Sequence, residues 1–149
     1  MRDRRNLGLM MRLVSVQRAQ RVGAEAAMRI AADAERRARA SEEEARDDSV
    51  AARRQWLDYV DKPGFSPQYS KALRAWVTER ERALETATAV TRRKSDVRAE
   101  NELAWQRSEA EVRRSETTTR RLRRKVERCA EERRASELND RTTFDWMRR

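Results

Sequence analysis

The sequence contains no histidine, a single cysteine and few residues that favour turns. Without histidine, the chain cannot build a histidine-ligated metal site or a catalytic triad that depends on histidine. Cys129 cannot form an internal disulfide, and it fits a small apolar position of a helix in a reducing compartment. Three glycines and two prolines in 149 residues leave few places for turns. A sheet sandwich or a doubly wound sheet is therefore not expected.

Large apolar side chains are scarce as well. Aromatic residues make up 5% of the chain, charged residues make up 42%, and 22 residues are alanine. Such low hydrophobicity is typical of disorder, but the abundant Ala, Arg, Glu and Leu are strong helix formers. The composition favours an all-α protein with a thin core. No run of 18 apolar residues occurs, and polar residues interrupt the stretch 7–16, so we expect no membrane span, no signal peptide and a cytoplasmic location.

The chain is strongly basic, with 36 Lys and Arg against 26 Asp and Glu, a net charge of +10 and a pI near 10.9. This balance is compatible with nucleic acid, anionic lipid or an acidic protein as partner. Basic and acidic residues number 13 and 10 in residues 1–60, 10 and 8 in residues 61–110, and 13 and 8 in residues 111–149. The excess is therefore most marked in the last segment.

Small or apolar residues recur in steps of three and four along residues 6–60, which is the heptad pattern of a coiled coil. The predicted seam consists of Met10, Leu13, Gln17, Gln20, Ala24, Ala27, Ala31, Ala34, Ala38, Ser41 and Ala45. A flanking row at seven-residue spacing consists of Leu9, Val16, Gly23 and Ile30. Acid-to-base pairs four residues apart, such as Asp33 with Arg37, support a helix. A second seam, which includes Ala83, Val90, Lys94 and Val97, is predicted from Tyr69 to Cys129.

One strong break separates the two seams, at residues 61–67. Lys62 precedes a proline and is disfavoured in helical geometry, Gly64 can adopt positive φ, and Ser66 followed by Pro67 is the order of a helix start. We therefore predict a single all-α domain over residues 1–149: helix one at about 6–60, a turn at 61–66 and helix two at about 67–147. The two long helices are expected to form an antiparallel coiled-coil hairpin.

The second helix is expected to continue beyond the first as a C-terminal helical overhang. If the turn centres near Pro63 and Gly64, facing residue numbers sum to about 127, so the overhang begins after about Lys125. This segment contains apolar residues that would suit a partner: Cys129, Leu138, Phe144, Trp146 and Met147. The turn gathers another apolar group: Trp56, Leu57, Tyr59, Val60, Phe65, Tyr69, Leu73 and Trp76.

Each of two charged clusters could be a binding or catalytic site or could be an ordinary solvated surface. Residues 120–125 include five basic side chains, which could bind nucleic acid, phosphate or an acidic protein, although mixed charges on helices are usually a solvated face. Residues 42–48 include five carboxylates, which could bind a cation or act as acid and base. Because two paired helices offer no cleft to desolvate such groups, we expect no enzyme activity, no catalytic residue, no metal and no cofactor.

The order of features resembles the small stalk proteins of type III export machines, namely the flagellar FliJ proteins, their injectisome counterparts of the YscO type and the equivalents in Hrp systems. The shared layout is a shorter first helix, an aromatic turn and a longer second helix with a charged end. Nearly the whole chain is covered. The segments that carry the resemblance are 66–69, 76–77, 83–85, 105–107 and 134–141, followed by Phe144 and Met147.

The resemblance implies a non-catalytic central stalk and chaperone-escort protein at the cytoplasmic face of a type III secretion or flagellar export apparatus. Such proteins bind and stimulate a hexameric export ATPase, contact the cytoplasmic domain of the export gate, and cycle export chaperones. By position, the ATPase-binding residues would be Arg120, Arg121, Arg123, Arg124, Leu138, Phe144, Trp146 and Met147. The gate-binding residues would be Trp56, Tyr59, Tyr69, Leu73, Trp76 and Ala83, with Arg80 where the family has leucine.

Two other functions are compatible with the same residues. One is a basic helical protein that binds nucleic acid through the run at 120–125, although neither an interleaved aromatic group nor a known nucleic-acid fold accompanies it. The other is a generic coiled-coil scaffold that associates with itself. For the stalk, no DNA or RNA partner is expected, and the inner membrane would be reached through partner proteins only.

Overall fold

The computed structural model describes residues 2–147, with the backbone alone for Arg2 and Asp145. Helix α1 spans Arg2–Val60 (59 residues) and helix α2 spans Pro67–Met147 (81 residues). No strand occurs in this part of the chain, and the two helices pack against each other. The predicted all-α class with two long helices is confirmed. No helix among the described residues is long and apolar enough to cross a membrane.

Ion pairs within each helix support the helical backbone, as the sequence spacing predicted. Glu25 pairs with Arg29 at 2.5 Å, and Glu109 pairs with Arg113 at 2.7 Å. One expected pair differs, because Asp33 binds Arg36, three residues away, instead of Arg37. Both spacings bring side chains to the same helix face, so the helix is supported in either arrangement.

The end of α1 is tightened by backbone hydrogen bonds. The amide of Asp61 donates to the carbonyl of Leu57, and the amide of Lys62 donates to the carbonyl of Tyr59, each at 3.2 Å. The chain then reverses through Gly64, whose φ of 98° lies in the left-handed region. Glycine adopts this conformation without the steric penalty of a side chain.

The start of α2 is capped by Ser66. Its hydroxyl oxygen lies 3.5 Å from the amide of Tyr69, and its carbonyl accepts the first helical hydrogen bond, from the amide of Ser70, at 2.9 Å. Pro67 occupies the first helical position, where its missing amide proton costs no hydrogen bond. These local contacts explain why α2 begins where it does.

The described chain divides into two compact units, which are considered separately. The turn unit is Glu25–Ala104, and the terminal unit consists of Met1–Ala24 with Trp105–Arg149. In the turn unit, four side-chain pairs join the helices: Arg53 with Glu81 (4.0 Å), Asp48 with Arg80 (3.2 Å), Glu42 with Thr88 (3.2 Å) and Glu35 with Arg98 (3.0 Å). From Asp48 to Glu35, partner numbers on α2 rise as those on α1 fall.

The core of the turn unit is small and includes a charged side chain. Ala31, Ala52, Leu73 and Val77 are buried, and Glu35 is only 2% exposed. Its two carboxylate oxygens accept hydrogen bonds from Arg39 on the same helix, at 2.5 Å, and from Arg98 on α2, at 3.0 Å. A buried charge is tolerated only where such partners compensate it. Glu35 therefore ties one position of α1 to one position of α2.

The terminal unit buries Val14 of α1 and Val112 of α2. Arg18 binds one carboxylate oxygen of Glu116 through two nitrogens, at 3.0 Å and 2.6 Å. Near the start of α1, Asp3 pairs with Lys125 at 3.2 Å. Partner numbers on α2 again rise as those on α1 fall.

Cys129 differs from the expectation for the segment after Lys125. We expected it to lie beyond the first helix, but it is half-buried in a shallow groove that also contains Asp3, Arg4 and Arg133. The reason is that Cys129 lies one helical turn after Lys125, which pairs with Asp3, so its side chain still reaches the first turn of α1. Continuous exposure on α2 begins only at residue 131.

The seam of α1 follows the prediction at one heptad position and differs at the other. Ala31 is buried, and Ala24, Ala38 and Ala45 are half-buried, as expected. The alternate positions shift by one residue: Val14 replaces Leu13, Arg21 replaces Gln20, Glu35 replaces Ala34 and Glu42 replaces Ser41 as the more buried residue. Two charged glutamates thus take the place of small residues because their carboxylates have partners on both helices.

The same shift occurs on α2 within the turn unit. Leu84 and Thr91 are half-buried, whereas the predicted Ala83 and Val90 are exposed. Lys94 and Val97 are exposed as well, and Ser95 is half-buried. These four predicted positions therefore lie beside the interface between the helices, whereas Leu73 and Ala87 of the same predicted seam are buried and half-buried.

Candidate functional site

Tyr59 lies at the centre of the aromatic group at the turn. Its hydroxyl oxygen accepts a hydrogen bond from the backbone amide of Ser66 at 2.8 Å. Its ring meets Tyr69 edge-on, with the centroids 4.7 Å apart, and Phe65 at 6.2 Å. Edge-on aromatic pairs are favourable beyond their area of contact. Tyr59 therefore stabilises the turn while Phe65 and Tyr69 remain about half exposed.

Three of the predicted gate-binding residues line one groove beside the turn. Tyr59, Tyr69 and the buried Leu73 all line this groove. The remaining lining residues are Ala51, Arg54, Gln55, Asp58 and Lys62. Trp56 is half-buried nearby in sequence, and its indole nitrogen is buried without a hydrogen-bond partner among the described residues. The groove thus combines aromatic rings with charged groups of both signs.

Trp76 and Ala83, the other predicted gate-binding residues, are linked through Arg80. The guanidinium of Arg80 lies 5.8 Å from the centre of the Trp76 ring, within the range of a cation–π contact. The same guanidinium pairs with Asp48 at 3.2 Å. Ala83 is exposed and lines a second groove with Arg80 and Asp48. Arg80 therefore packs against the Trp76 ring and pairs with Asp48 at the same time.

The carboxylate cluster at residues 42–48 is engaged with neighbouring side chains. Glu42 accepts hydrogen bonds from Arg46 at 3.3 Å and from Thr88 at 3.2 Å, and Asp48 pairs with Arg80. Among the described residues, no group of three or more metal-ligating side chains is placed to hold an ion. The cluster thus contributes to pairing between the helices.

The basic run on α2 has a different environment. Arg120, Arg121, Arg123 and Arg124 are all exposed, and none forms an ion pair within 4.0 Å among the described residues. Arg120 and Arg123 line a groove with Met11, Val14, Ser15, Arg18, Glu116 and Thr119. Four guanidinium groups therefore face solvent along this part of α2.

Glu116, in the same groove, already has a cationic partner. The hydrogen bond from Arg18 lowers the pKa of Glu116, burial opposes this shift, and the charges of Arg18, Arg120 and Arg21 lower the pKa further. Because Arg18 holds this carboxylate, Arg120 affects Glu116 only through its longer-range field. The charge of Arg120 therefore remains available to an external group.

The last part of α2 is exposed throughout. Every residue from 131 to 144 is exposed. Leu138 and Phe144 are each 61% exposed, Trp146 is 82% exposed and Met147 is 78% exposed. Large apolar side chains are seldom exposed in such density unless the surface has a binding role. These are the apolar members of the predicted ATPase-binding set.

The net charge of the protein belongs to the terminal unit alone. Residues 1–24 and 105–149 contain 20 basic and 10 acidic side chains, whereas residues 25–104 contain 16 of each. The two sets together make up the 36 basic and 26 acidic residues of the chain. The count by sequence segment shows only a modest excess of basic residues after residue 111. It counts separately the two stretches of sequence that belong to the terminal unit.

Two features of the structure were not predicted from the sequence. The four-residue spacing predicts that Glu35 pairs with Arg39, but Arg98 is 63 residues from Glu35 and no spacing rule connects them. Leu13 was assigned to the seam, yet it is 42% exposed. A signal for its exposure was present in the flanking row, because Leu9 and Val16 lie on the same helix face as Leu13.

Comparison with known proteins gives no further guide to identity: no family model, no curated protein and no solved structure matches this chain.

Proposed function

We propose that α1 and α2 form an antiparallel coiled-coil hairpin in which the end of α2 continues past the beginning of α1. Two observations support this arrangement. Within each unit, partner numbers on α2 rise as those on α1 fall. Near the start of α1, Asp3 pairs with Lys125, and every residue from 131 to 144 is exposed. The overhang in this proposal comprises residues 134–147.

The hairpin is proposed to act as a non-catalytic stalk and chaperone-escort protein of a bacterial type III secretion or flagellar export apparatus. The observation that carries this proposal is the terminal unit, which combines the whole net charge with exposed Leu138, Trp146 and Met147. Apolar anchors bordered by unpaired cations suit a protein partner with an acidic rim. The resemblance in layout to stalk proteins supports the hexameric export ATPase as that partner.

The turn is proposed to bind the export gate, at the cytoplasmic face of the apparatus. Its groove, with Tyr59, Tyr69 and Leu73, and the neighbouring Trp76 offer aromatic surface that is only half-buried. Aromatic side chains of this kind are enriched among the residues that dominate binding energy. The two surfaces lie in different units, so each can be altered while the other is kept.

A titration of the full chain into the purified export ATPase tests the stalk function. The measurement is the rate of ATP hydrolysis and the proportion of hexamer. We expect stimulation by the native chain, and its loss when residues 126–149 are deleted. The double variant R121Q/R124Q should weaken stimulation, because it removes two unpaired cations from the terminal unit. The control R92Q/R93Q removes two exposed arginines from the turn unit and should stimulate like the native chain.

No stimulation by the native chain at any concentration, together with no binding to the ATPase, would contradict the stalk function. Equal losses for the two double variants would show that net charge alone, and not the terminal unit, determines the effect.

A second candidate function is nucleic-acid binding, supported by the four arginines at 120–124 that lack ion pairs in the described structure. Binding by phosphate contacts depends steeply on salt. A gel shift with duplex DNA and with single-stranded RNA would favour this function if binding has a steep salt slope and is lost in R120Q/R121Q/R123Q/R124Q. A third candidate, a self-associating scaffold, predicts a size that grows with concentration in analytical ultracentrifugation.

A further inference from the structure

Helix α1 has a second apolar face in the terminal unit, beside the one that packs on α2. Its members are Leu9, Leu13 and Val16, which are 56%, 42% and 55% exposed. They follow one another in steps of four and three residues, so they share one face of the helix. The packed face is formed by different residues, with Val14 as its buried centre. This exposed face has the spacing that a third helix of a coiled coil would contact.

Cationic side chains border this exposed face along one side. Arg5 lies four residues before Leu9, and Arg12 lies three residues after Leu9 and four before Val16, so both arginines neighbour the face. Both are exposed, and neither forms an ion pair among the described residues. By contrast, Arg18, which does not share this face, is bound to Glu116. The face therefore offers apolar contact next to two uncompensated positive charges.

The chemistry of this face selects among possible partners. A second copy of the chain, docked by a two-fold axis, would bring like charges together, because Arg5 and Arg12 of each copy would meet the same basic unit. Nucleic acid would match the charge but would leave three large apolar side chains without a partner. A helix with apolar residues at the a and d positions and carboxylates beside them satisfies both features.

We propose that the face of Leu9, Leu13 and Val16 binds an acidic amphipathic helix of a partner protein, which packs as a third strand beside α1 and α2. The apolar residues of the partner cover this face, and its carboxylates pair with Arg5 and Arg12. This binding site differs from the overhang at the end of α2 and from the aromatic groove at the turn. It stands independently of whether the export ATPase binds this protein.

A binding titration with designed peptides tests this proposal on the full chain. The first probe is a fluorescent helical peptide of four heptads with Leu at a and d and Glu at e and g. The second has Lys in place of each Glu, and the third keeps Glu but has Ser at a and d. The first peptide should bind, and the other two should bind at least roughly tenfold more weakly, because one loses charge pairing and the other loses apolar contact.

Matched variants of the protein locate the binding site. Val16→Ser should weaken binding of the first peptide by roughly tenfold or more, because the substitution removes a valine that becomes buried in the complex. R5Q/R12Q should reduce the preference of the protein for the first peptide over the Lys peptide. The control Val50→Ser changes a valine of similar exposure, 58%, in the turn unit and should bind like the native chain. Because both valines are exposed, circular dichroism melting should be nearly unchanged for both variants.

Four outcomes would overturn the proposal. The first is equal binding of the Glu and Lys peptides, and the second is equal weakening by Val16→Ser and Val50→Ser. The third is self-association of the native chain that Val16→Ser abolishes, which would assign the face to a second copy. The fourth is binding of a single-stranded RNA that R5Q/R12Q weakens and Val16→Ser leaves unchanged, with no binding of the first peptide.

Discussion

The turn unit and the terminal unit use similar residues for different purposes. In the turn unit, 16 basic and 16 acidic side chains balance, and several of them join the two helices, as Glu35 does with Arg98. In the terminal unit, 20 basic residues exceed 10 acidic ones, and the arginines at 120–124 face solvent. Charge is thus balanced in the turn unit, whereas the terminal unit keeps an excess for partners beside its own pairs between the helices, such as Arg18 with Glu116. The difference shows that a uniformly charged sequence can encode two surfaces with distinct roles.

The turn unit also has more buried residues than the terminal unit. The turn unit buries Ala31, Glu35, Ala52, Leu73 and Val77, whereas the terminal unit buries Val14 and Val112. Both units expose large apolar side chains, and those of the terminal unit lie on α1 and on the last turns of α2. Fewer buried contacts leave a segment easier to open and more dependent on binding for its order. We therefore expect most single-residue losses of stability to come from the turn unit.

The largest expected effect is the loss of a buried leucine. Leu73→Ala removes apolar contact and leaves a cavity beside the turn, which should lower the free energy of unfolding by about 2–5 kcal/mol. Chemical denaturation monitored by circular dichroism measures this change. Leu138→Ala is the matched control, because Leu138 is exposed and the same substitution there should stay within about 0.5 kcal/mol. Equal losses of unfolding free energy for Leu73→Ala and Leu138→Ala would contradict the distinction between a buried leucine in the turn unit and an exposed one in the terminal unit.

Overpacking of a small seam residue should have the next largest effect. Ala52 is 0% exposed, so Ala52→Leu must force its neighbours apart, at a cost of about 1–3 kcal/mol in the free energy of unfolding. The neighbouring Ala51 is exposed, and Ala51→Leu should be nearly neutral. Thermal melting of the two variants provides the comparison. A neutral Ala52→Leu would show that the helices are not in close contact at this position.

The buried carboxylate predicts a dependence of stability on pH. The hydrogen bond from Arg98 lowers the pKa of Glu35, burial opposes this shift, and Arg39 lowers the pKa further. Because the folded pKa is lowered, the stabilisation by Glu35 is complete above its unfolded pKa. It is lost as pH falls through the folded pKa. Glu35→Gln should therefore lower the melting temperature at neutral pH and make it less dependent on pH in the acidic range.

The control for this prediction is Glu43→Gln, on the same helix at an exposed position. It should leave both the melting temperature and its acid dependence close to those of the native chain. If Glu35→Gln and Glu43→Gln gave the same acid profile, Glu35 would not be the group that pairs with Arg98 in solution.

The smallest expected effect on stability concerns the exposed arginines. Arg121→Gln should change the free energy of unfolding by about 0.5 kcal/mol or less, because Arg121 is exposed and forms no ion pair among the described residues. Arg98→Gln should destabilise clearly more, because it removes the partner of a buried carboxylate on the other helix. Denaturant unfolding of both variants would test whether the paired Arg98 stabilises the fold while the unpaired Arg121 does not. A larger loss at Arg121 would contradict this assignment.

Much of the fold follows from local sequence. The helix-forming composition predicts the all-α class, and Gly64, Ser66 and Pro67 predict the turn through backbone physics that acts within a few residues. The seam register could not be predicted as well. Helix α1 has apolar residues on two neighbouring faces, so periodicity alone could not decide whether Leu13 or Val14 meets α2.

The candidate sites were less predictable because they depend on contacts between distant residues. Exposure of the basic run and of Trp146 fits local expectation, since both lie in highly polar helix. The contact of Arg80 with Trp76 could be inferred from a four-residue spacing, but its ion pair with Asp48 could not. The concentration of net charge in the terminal unit could not be inferred either, because its two segments are separated by 80 residues of sequence.

We propose that the terminal unit carries the surface for the export ATPase while the turn unit maintains the helix pair. Hydrogen exchange of the full chain, followed by mass spectrometry with and without the purified export ATPase, tests this most directly. We expect slower exchange in residues 2–24 and 105–147 when the ATPase is present, with residues 25–104 unchanged. Slower exchange confined to residues 25–104, or no change in either unit at saturating ATPase, would contradict it.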